Sequence, residues 1–230
     1  MKIYGLQKMT LLDYPGRVAC TVFTGGCNFR CPFCHNAPLV THIDAGSSMD
    51  DTELLAFLKT RKGLLDGVCV TGGEPLMHPG IGEMLRRIRE LGFAVKLDTN
   101  GSFPDRLRAL VEDGLVDRVA MDVKNCPEKY ALTVGIPDFD LAPVSESIRY
   151  LLEGHVEYEF RTTVVAELHT VADIESLTQH IVGCPEYYLQ NFTDSGDLIG
   201  TDLHACSKEV MVEMREKAAK YVKNATIRGL

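Results

Sequence analysis

Cys27, Cys31 and Cys34 fall within one stretch, TGGCNFRCPFCHN (24–36), at the spacing C-x3-C-x2-C, while the other five cysteines stand singly at 20, 69, 126, 184 and 206. Thiols grouped in this way in a reducing compartment point to metal ligation or catalysis rather than to a disulfide framework. A structural zinc site is closed by four protein ligands, commonly as two paired knuckles, and this trio has no second pair. His35 is a conceivable fourth ligand, but it adjoins Cys34, which is awkward for a tetrahedral site. A 4Fe-4S cluster also has four corners. Three thiolates would leave one iron open to a small molecule, and an open iron is reactive. The cluster is the preferred reading and zinc the alternative.

These thiols need a scaffold, and the chain supplies one pattern throughout. Short β-branched apolar runs at 18–24, 67–72, 94–99, 117–124, 157–165 and 186–192 predict six strands. Helical patterns separate them. Pro79 opens one in which Ile81, Met84, Leu85, Ile88 and Leu91 keep the 3.6-residue period until Gly92, and Pro143 opens another over Val144, Ile148, Leu151 and Leu152 with Gly154 as its stop. Asp50 and Gly63 bracket a helix burying Leu54, Leu55 and Leu58, and Pro104 starts one carrying Leu107, Leu110 and Val111. Further helices are expected near 173–182 and 207–222, and NATIRG (224–229) is a candidate last strand. With no linker, low-complexity segment or basic tail, residues 1–230 are expected to form one domain.

The unusual polar residues all fall at the C-terminal ends of these strands. GGCNFRC follows the first, Gly72-Gly73-Glu74-Pro75 the second, Asp98-Thr99-Asn100-Gly101 the third and Asp122-Val123-Lys124-Asn125 the fourth; Arg161 and Gln190-Asn191 come late in the fifth and sixth. That is the active-site face of a (β/α) barrel. A doubly wound nucleotide-binding sheet would instead show G-x-G-x-x-G in its first βα turn, and no such run follows any strand. Six units fall short of eight, so the expected α/β fold is a partial (β/α)6 barrel of parallel strands with outer helices and an open mouth. Taken singly, each residue has a plainer reading. The Gly-Gly-Glu-Pro run could be a turn, Asp122 with Lys124 a surface ion pair, Arg161 an edge residue and His35 a loop histidine. Cys20 and Cys69 read as small core residues, and Cys126, Cys184 and Cys206 as structural.

Composition narrows the classes further. The chain is 45% hydrophobic, 24% charged and carries a net charge of -8, ordinary for a globular protein and unsuited to tracking a phosphate backbone. No stretch approaches the ~18 apolar residues of a membrane span, and the N-terminus lacks the apolar core of a signal peptide. A cytoplasmic protein without nucleic-acid or membrane partners is expected.

The run CNFRCPFC, the Gly-Gly-Glu-Pro at the next strand end and the βα series together resemble the radical S-adenosylmethionine (SAM) superfamily. The resemblance implies a 4Fe-4S cluster held by Cys27, Cys31 and Cys34, with the fourth iron chelated by S-adenosylmethionine. The cluster's electron would cleave that cofactor to methionine and a 5'-deoxyadenosyl radical. LLDYPGRVACTVFTGGCNFRCPFCHN, DTNG and MDVK are similar to the glycyl-radical-enzyme activases, and the opening segment most of all to the activating protein of anaerobic ribonucleoside-triphosphate reductase. By that resemblance Phe33 packs near the adenine and Gly72, Gly73 and Glu74 meet the methionine amino group. Asp98, Asn100, Asp122, Lys124 and Arg161 line the rest of the cofactor pocket, and Asp98, Thr99 and Asp122 are also candidates for a monovalent-cation site. The implied partners are a glycyl-radical enzyme, the anaerobic reductase first and pyruvate formate-lyase second, and a flavodoxin- or ferredoxin-type electron donor. A small-molecule radical enzyme resembling the carboxydeazaguanine synthases is the alternative.

Two departures stand out. Many activases carry an insert with extra cysteines, but between Cys34 and Gly72 this chain has only Cys69, so one cluster is expected. Relatives end the sixth strand in a leucine-proline-aromatic-histidine run, whereas here it is Leu189-Gln190-Asn191-Phe192, leaving Gln190 or Asn191 to do that histidine's work.

Overall fold

A computed structural model describes residues 1–43, 46 and 48–230. Seven parallel strands form the frame: β3 (Ala19–Thr24), β5 (Gly67–Gly72), β6 (Ala94–Thr99), β7 (Arg118–Asp122), β8 (Glu157–Val164), β9 (Tyr187–Asn191) and β10 (Ala225–Arg228). They lie in the sheet in chain order, with an eighth, β2 (Gly5–Thr10), antiparallel to β3 at the far edge. β2 and β10 are not paired to each other among the described residues, so the sheet is open between them. β1 (Lys2–Ile3) and β4 (Met49–Asp50) make a separate two-stranded antiparallel sheet.

The helices follow their local signals. α2 (Asp51–Lys59) starts at a reciprocal cap in which Glu53 N donates to Asp50 (2.9 Å) and Asp50 N to Glu53 (2.9 Å). α3 (Ile81–Glu90) buries Ile81, Met84, Leu85 and Ile88 against the sheet, and α4 (Pro104–Glu112) buries Leu107, Leu110 and Val111. α6 (Ala142–Leu152), α7 (Val171–Gln179) and α8 (Lys208–Ala218) complete the outer layer. Two helices lie outside the sequence expectation, α1 (Ala37–Thr41), directly after the thiols, and α5 (Pro127–Val134), after β7, as do the strands β1, β2 and β4. α1, five residues long, is too short to show a helical period.

The opening LLDYPG segment lies at the N-terminal ends of the strands, away from the thiols. Tyr14 is buried against Gly67, where an added Cβ would come within 3.0 Å of its ring, and Asp13 accepts a hydrogen bond from the Thr21 hydroxyl. It closes the floor of the sheet.

Candidate active site

The loop carrying the thiols is anchored from four sides by main-chain bonds. Gly26 N donates to Leu39 O of α1 (2.7 Å), Arg30 N to Val134 O at the end of α5 (2.8 Å), Glu74 N to Gly26 O (2.7 Å) and Gly200 N to Pro32 O (2.8 Å). The two unexpected helices therefore serve the site: each holds one side of the cysteine loop. Gly72 and Gly73 form the tightest seam. A Cβ on Gly73 would lie 1.9 Å from the Gly26 carbonyl oxygen, and Gly72, at φ +118°, would place one 2.3 Å from Thr24 O. This pair is no ordinary turn, since only glycine lets the two backbones meet.

All three thiols line one cavity of about 190 Å³, shared with Phe33, Gly72, Gly73, Asp98, Asn100, Asp122, Lys124 and Arg161. Eleven of the twelve anticipated residues thus converge. Glu74 does not line the cavity. Its carboxylate is buried behind the wall and accepts from Leu76 N (2.9 Å), Thr99 Oγ1 (2.8 Å) and Asn100 N (2.7 Å). It ties the second strand end to the third. Burial pushes its pKa up to about 7, against the pull of those donors.

The charged residues form a chain across β6, β7 and β8. Lys96, 1% exposed, pairs with Asp98; Asp98 takes Arg161 Nη1 at 3.1 Å; Arg161 Nε reaches Asp122 at 3.0 Å; and Asp122 takes Lys124 Nζ at 2.9 Å. Burial opposes ionisation of both carboxylates, but Arg161 with the lysines overrides it and holds them below the usual range. At the cavity itself two cations, Lys124 and Arg161, face two carboxylates, Asp98 and Asp122, with Lys96 buried behind Asp98. Burial raises the thiols too, Cys27 to about 11 and Cys31 to about 12, with Lys124 pulling the other way. Metal binding would displace their protons.

Some contributors carried no sequence signal. Asn28 joins the cysteine loop to β6, accepting from Asn100 Nδ2 (2.9 Å) and donating to Ser102 Oγ (2.9 Å). His169 is buried; Val165 N donates to its Nδ1 (3.1 Å), so the proton is on Nε2, which donates to Lys124 O (2.8 Å). Its ring meets Phe33 edge-on at 6.4 Å, fixing both neighbours. The sequence reading gave this histidine no role, because its spacing from any partner is a property of the fold alone. His35 stacks on Phe192 and bonds Thr193 O (2.9 Å). The sixth strand end is divided: Gln190 lines the cavity, whereas Asn191 turns away and clasps the Cys206 backbone through two bonds of 3.0 Å.

The model of the Radical SAM superfamily matches residues 21–181, a span that includes the thiol loop and β3 through α7. The chain belongs to the radical SAM superfamily. Among relatives, a Methanocaldococcus jannaschii chain that carries the provisional name of a glycyl-radical enzyme activating enzyme is 30% identical, with 99% of this chain and 96% of that one aligned. The pyruvate formate-lyase-activating enzyme of Clostridium pasteurianum is 26% identical over 96% and 97%, and the 7-carboxy-7-deazaguanine synthase of Methanopyrus kandleri 31% identical over 74% and 71%. The fold is shared with Streptococcus suis SuiB bound to S-adenosylmethionine, with a TM-score of 0.70 at 15% identity over 90% of this chain and 49% of that one. As a radical SAM enzyme the chain works with a 4Fe-4S cluster and S-adenosylmethionine. Its residues suit them. Among the described residues no three Cys, His, Asp or Glu side chains converge on a single ion, whereas three unbridged thiols spread around one cavity suit a cluster that takes one iron per thiolate. No helix among the described residues is long and apolar enough to cross a membrane.

Proposed function

We propose that the chain is a glycyl-radical-enzyme activase whose partner is an anaerobic ribonucleoside-triphosphate reductase, with pyruvate formate-lyase as the alternative. The observation carrying this reading is the meeting of three thiols with Lys124 and Arg161 and their carboxylate partners in one cavity of an open-sided sheet. The alignment of two activating-enzyme relatives over nearly the whole chain supports it. Cys27, Cys31 and Cys34 hold the cluster, which with S-adenosylmethionine supplies a 5'-deoxyadenosyl radical able to take hydrogen from a glycine Cα. The protein's part is electrostatic and steric. Lys124 and Arg161 are the cations that would meet the methionine carboxylate, and Asp98 and Asp122 hold them in place. The bare backbone of Gly72 and Gly73 faces the amino end, Phe33 gives the adenine an apolar wall, and Asn100 fixes the cysteine loop through Asn28. Glu74 acts from behind by setting the backbone of Thr99 and Asn100. A monovalent cation at Asp98, Thr99 and Asp122 would have to share carboxylates already ion-paired and a hydroxyl already donated to Glu74.

Electron paramagnetic resonance tests the proposal. Protein reduced by a flavodoxin- or ferredoxin-type donor, given S-adenosylmethionine and either candidate partner, should raise a glycyl doublet on one of them. No doublet on either overturns it. The identity to the Methanopyrus synthase favours a second reading, a radical enzyme acting on a free small molecule. Efficient turnover of such a molecule without a glycyl signal would establish that instead.

A further inference from the structure

The cavity has a charged half and a neutral half. On β6, β7 and the lower part of β8 every charged side chain is already paired. Of the hydroxyl and amide side chains lining the cavity, Asn36, Thr99 and Asn100 are spent on Gly72 O, Glu74 and Asn28. Among the described residues Thr71, Thr163 and Gln190 have no such bond. Thr71 stands beside the glycine seam. Thr163 and Gln190 are register partners on the adjacent strands β8 and β9, so the two lie side by side on one face. Gln190 is in turn paired in register with Arg228 on β10, the strand at the open edge of the sheet. Arg228 is not a free cation: it lies 3.5 Å over the Tyr188 ring and 3.6 Å from Glu159. The wall nearest the opening is therefore uncharged and offers one amide and one hydroxyl, each both donor and acceptor.

We infer that Gln190 and Thr163 form a peptide-backbone clamp, holding the N–H and C=O of one residue of the partner's extended glycine segment so that the glycine Cα faces the cavity. The inference rests on the activase reading above. A primary amide is complementary to the N–H and C=O that one residue of an extended chain turns to the same side, since its Nε2 donates to that C=O while its Oε1 accepts from that N–H. A neutral pair also recognises chain rather than side chain, which suits a residue with no side chain to read. A small anionic substrate would instead need a free cation on this wall, and Arg228 is committed.

The test uses the cluster-loaded protein, S-adenosylmethionine, and the reductase and the lyase each deuterated at glycine Cα, with deuterium in 5'-deoxyadenosine as the readout. Gln190→Leu should raise the partner concentration needed for half-maximal transfer about tenfold with the saturated rate largely kept, and Thr163→Val about threefold. Gln190→Glu, which loses the donor, should fall between Gln190→Leu and the wild type. S-adenosylmethionine affinity, measured by titration calorimetry, should stay within about twofold, a result that mere structural damage would not give. Transfer by the wild type with unchanged partner dependence in Gln190→Leu overturns the clamp and leaves the activase reading standing. Transfer from neither partner by the wild type overturns both.

Discussion

At the scale of residues, the site divides into atoms that touch the cofactors and atoms that hold them there. If the three clustered thiols each take one iron, Cys27→Ala, Cys31→Ala and Cys34→Ala should each abolish the brown chromophore, whereas Cys20→Ala and Cys206→Ala, both buried away from the cavity, should keep full iron content. Lys124→Ala should leave iron content intact and weaken S-adenosylmethionine binding about tenfold, the worth of one charge-assisted contact. Unchanged affinity by calorimetry would return Lys124 to an ordinary ion pair with Asp122. Glu74 gives a pH signature of its own. Its folded pKa, raised from 4.5 to about 7, means that the folded state binds the extra proton, so this group's contribution to stability falls as pH rises between those values. Glu74→Gln should flatten the melting temperature over that window, though it also weakens the bonds to Asn100 and Leu76.

At the scale of elements, the parallel strands and the long helices were legible because each carried its own period and punctuation. Proline starts at Pro104 and Pro143 and the stops at Gly92 and Gly154 placed their helices to within a few residues. β2 was not legible. As an edge strand it shows no clean alternation, its central residues Gln7, Lys8 and Met9 all being exposed. The convergence of strand-end residues on one cavity was also readable, since parallel strands deliver their C-terminal ends to a common face. What could not be read was support from across the fold: Asn28 with Ser102, His169 under Phe33 and Lys124, and the grip of α1 and α5 on the thiol loop. These partners are joined by tertiary distance and leave no spacing in the chain. Gly73→Ala tests the seam between the first two strand ends. It should sharply lower iron loading while the far-ultraviolet circular dichroism stays near wild type, because the clash with Gly26 is confined to the loops.

At the scale of the whole molecule, acid should act on the charged chain across the sheet before it acts on the core. Asp98 and Asp122 have folded pKa values below their unfolded one, so their stabilisation is complete above about pH 4 and is lost as pH falls below it through the folded values. A melting temperature that drops as pH falls below about 4, with that drop absent in a double Asp98→Asn, Asp122→Asn protein, would confirm that order. The sheet's strand order also bears on how the molecule is made. Because each strand of the parallel run pairs with the one before it in the chain, none has to be threaded between two already in place. On the ribosome the sheet can grow at a single edge, from the floor segment and β3 outward, and the glycine seam can close as soon as the residues after β5 emerge, with the α5 and Gly200 anchors of the cysteine loop added later. The wall beside the opening is made late, so a nascent chain could close its glycine seam long before it could hold a partner.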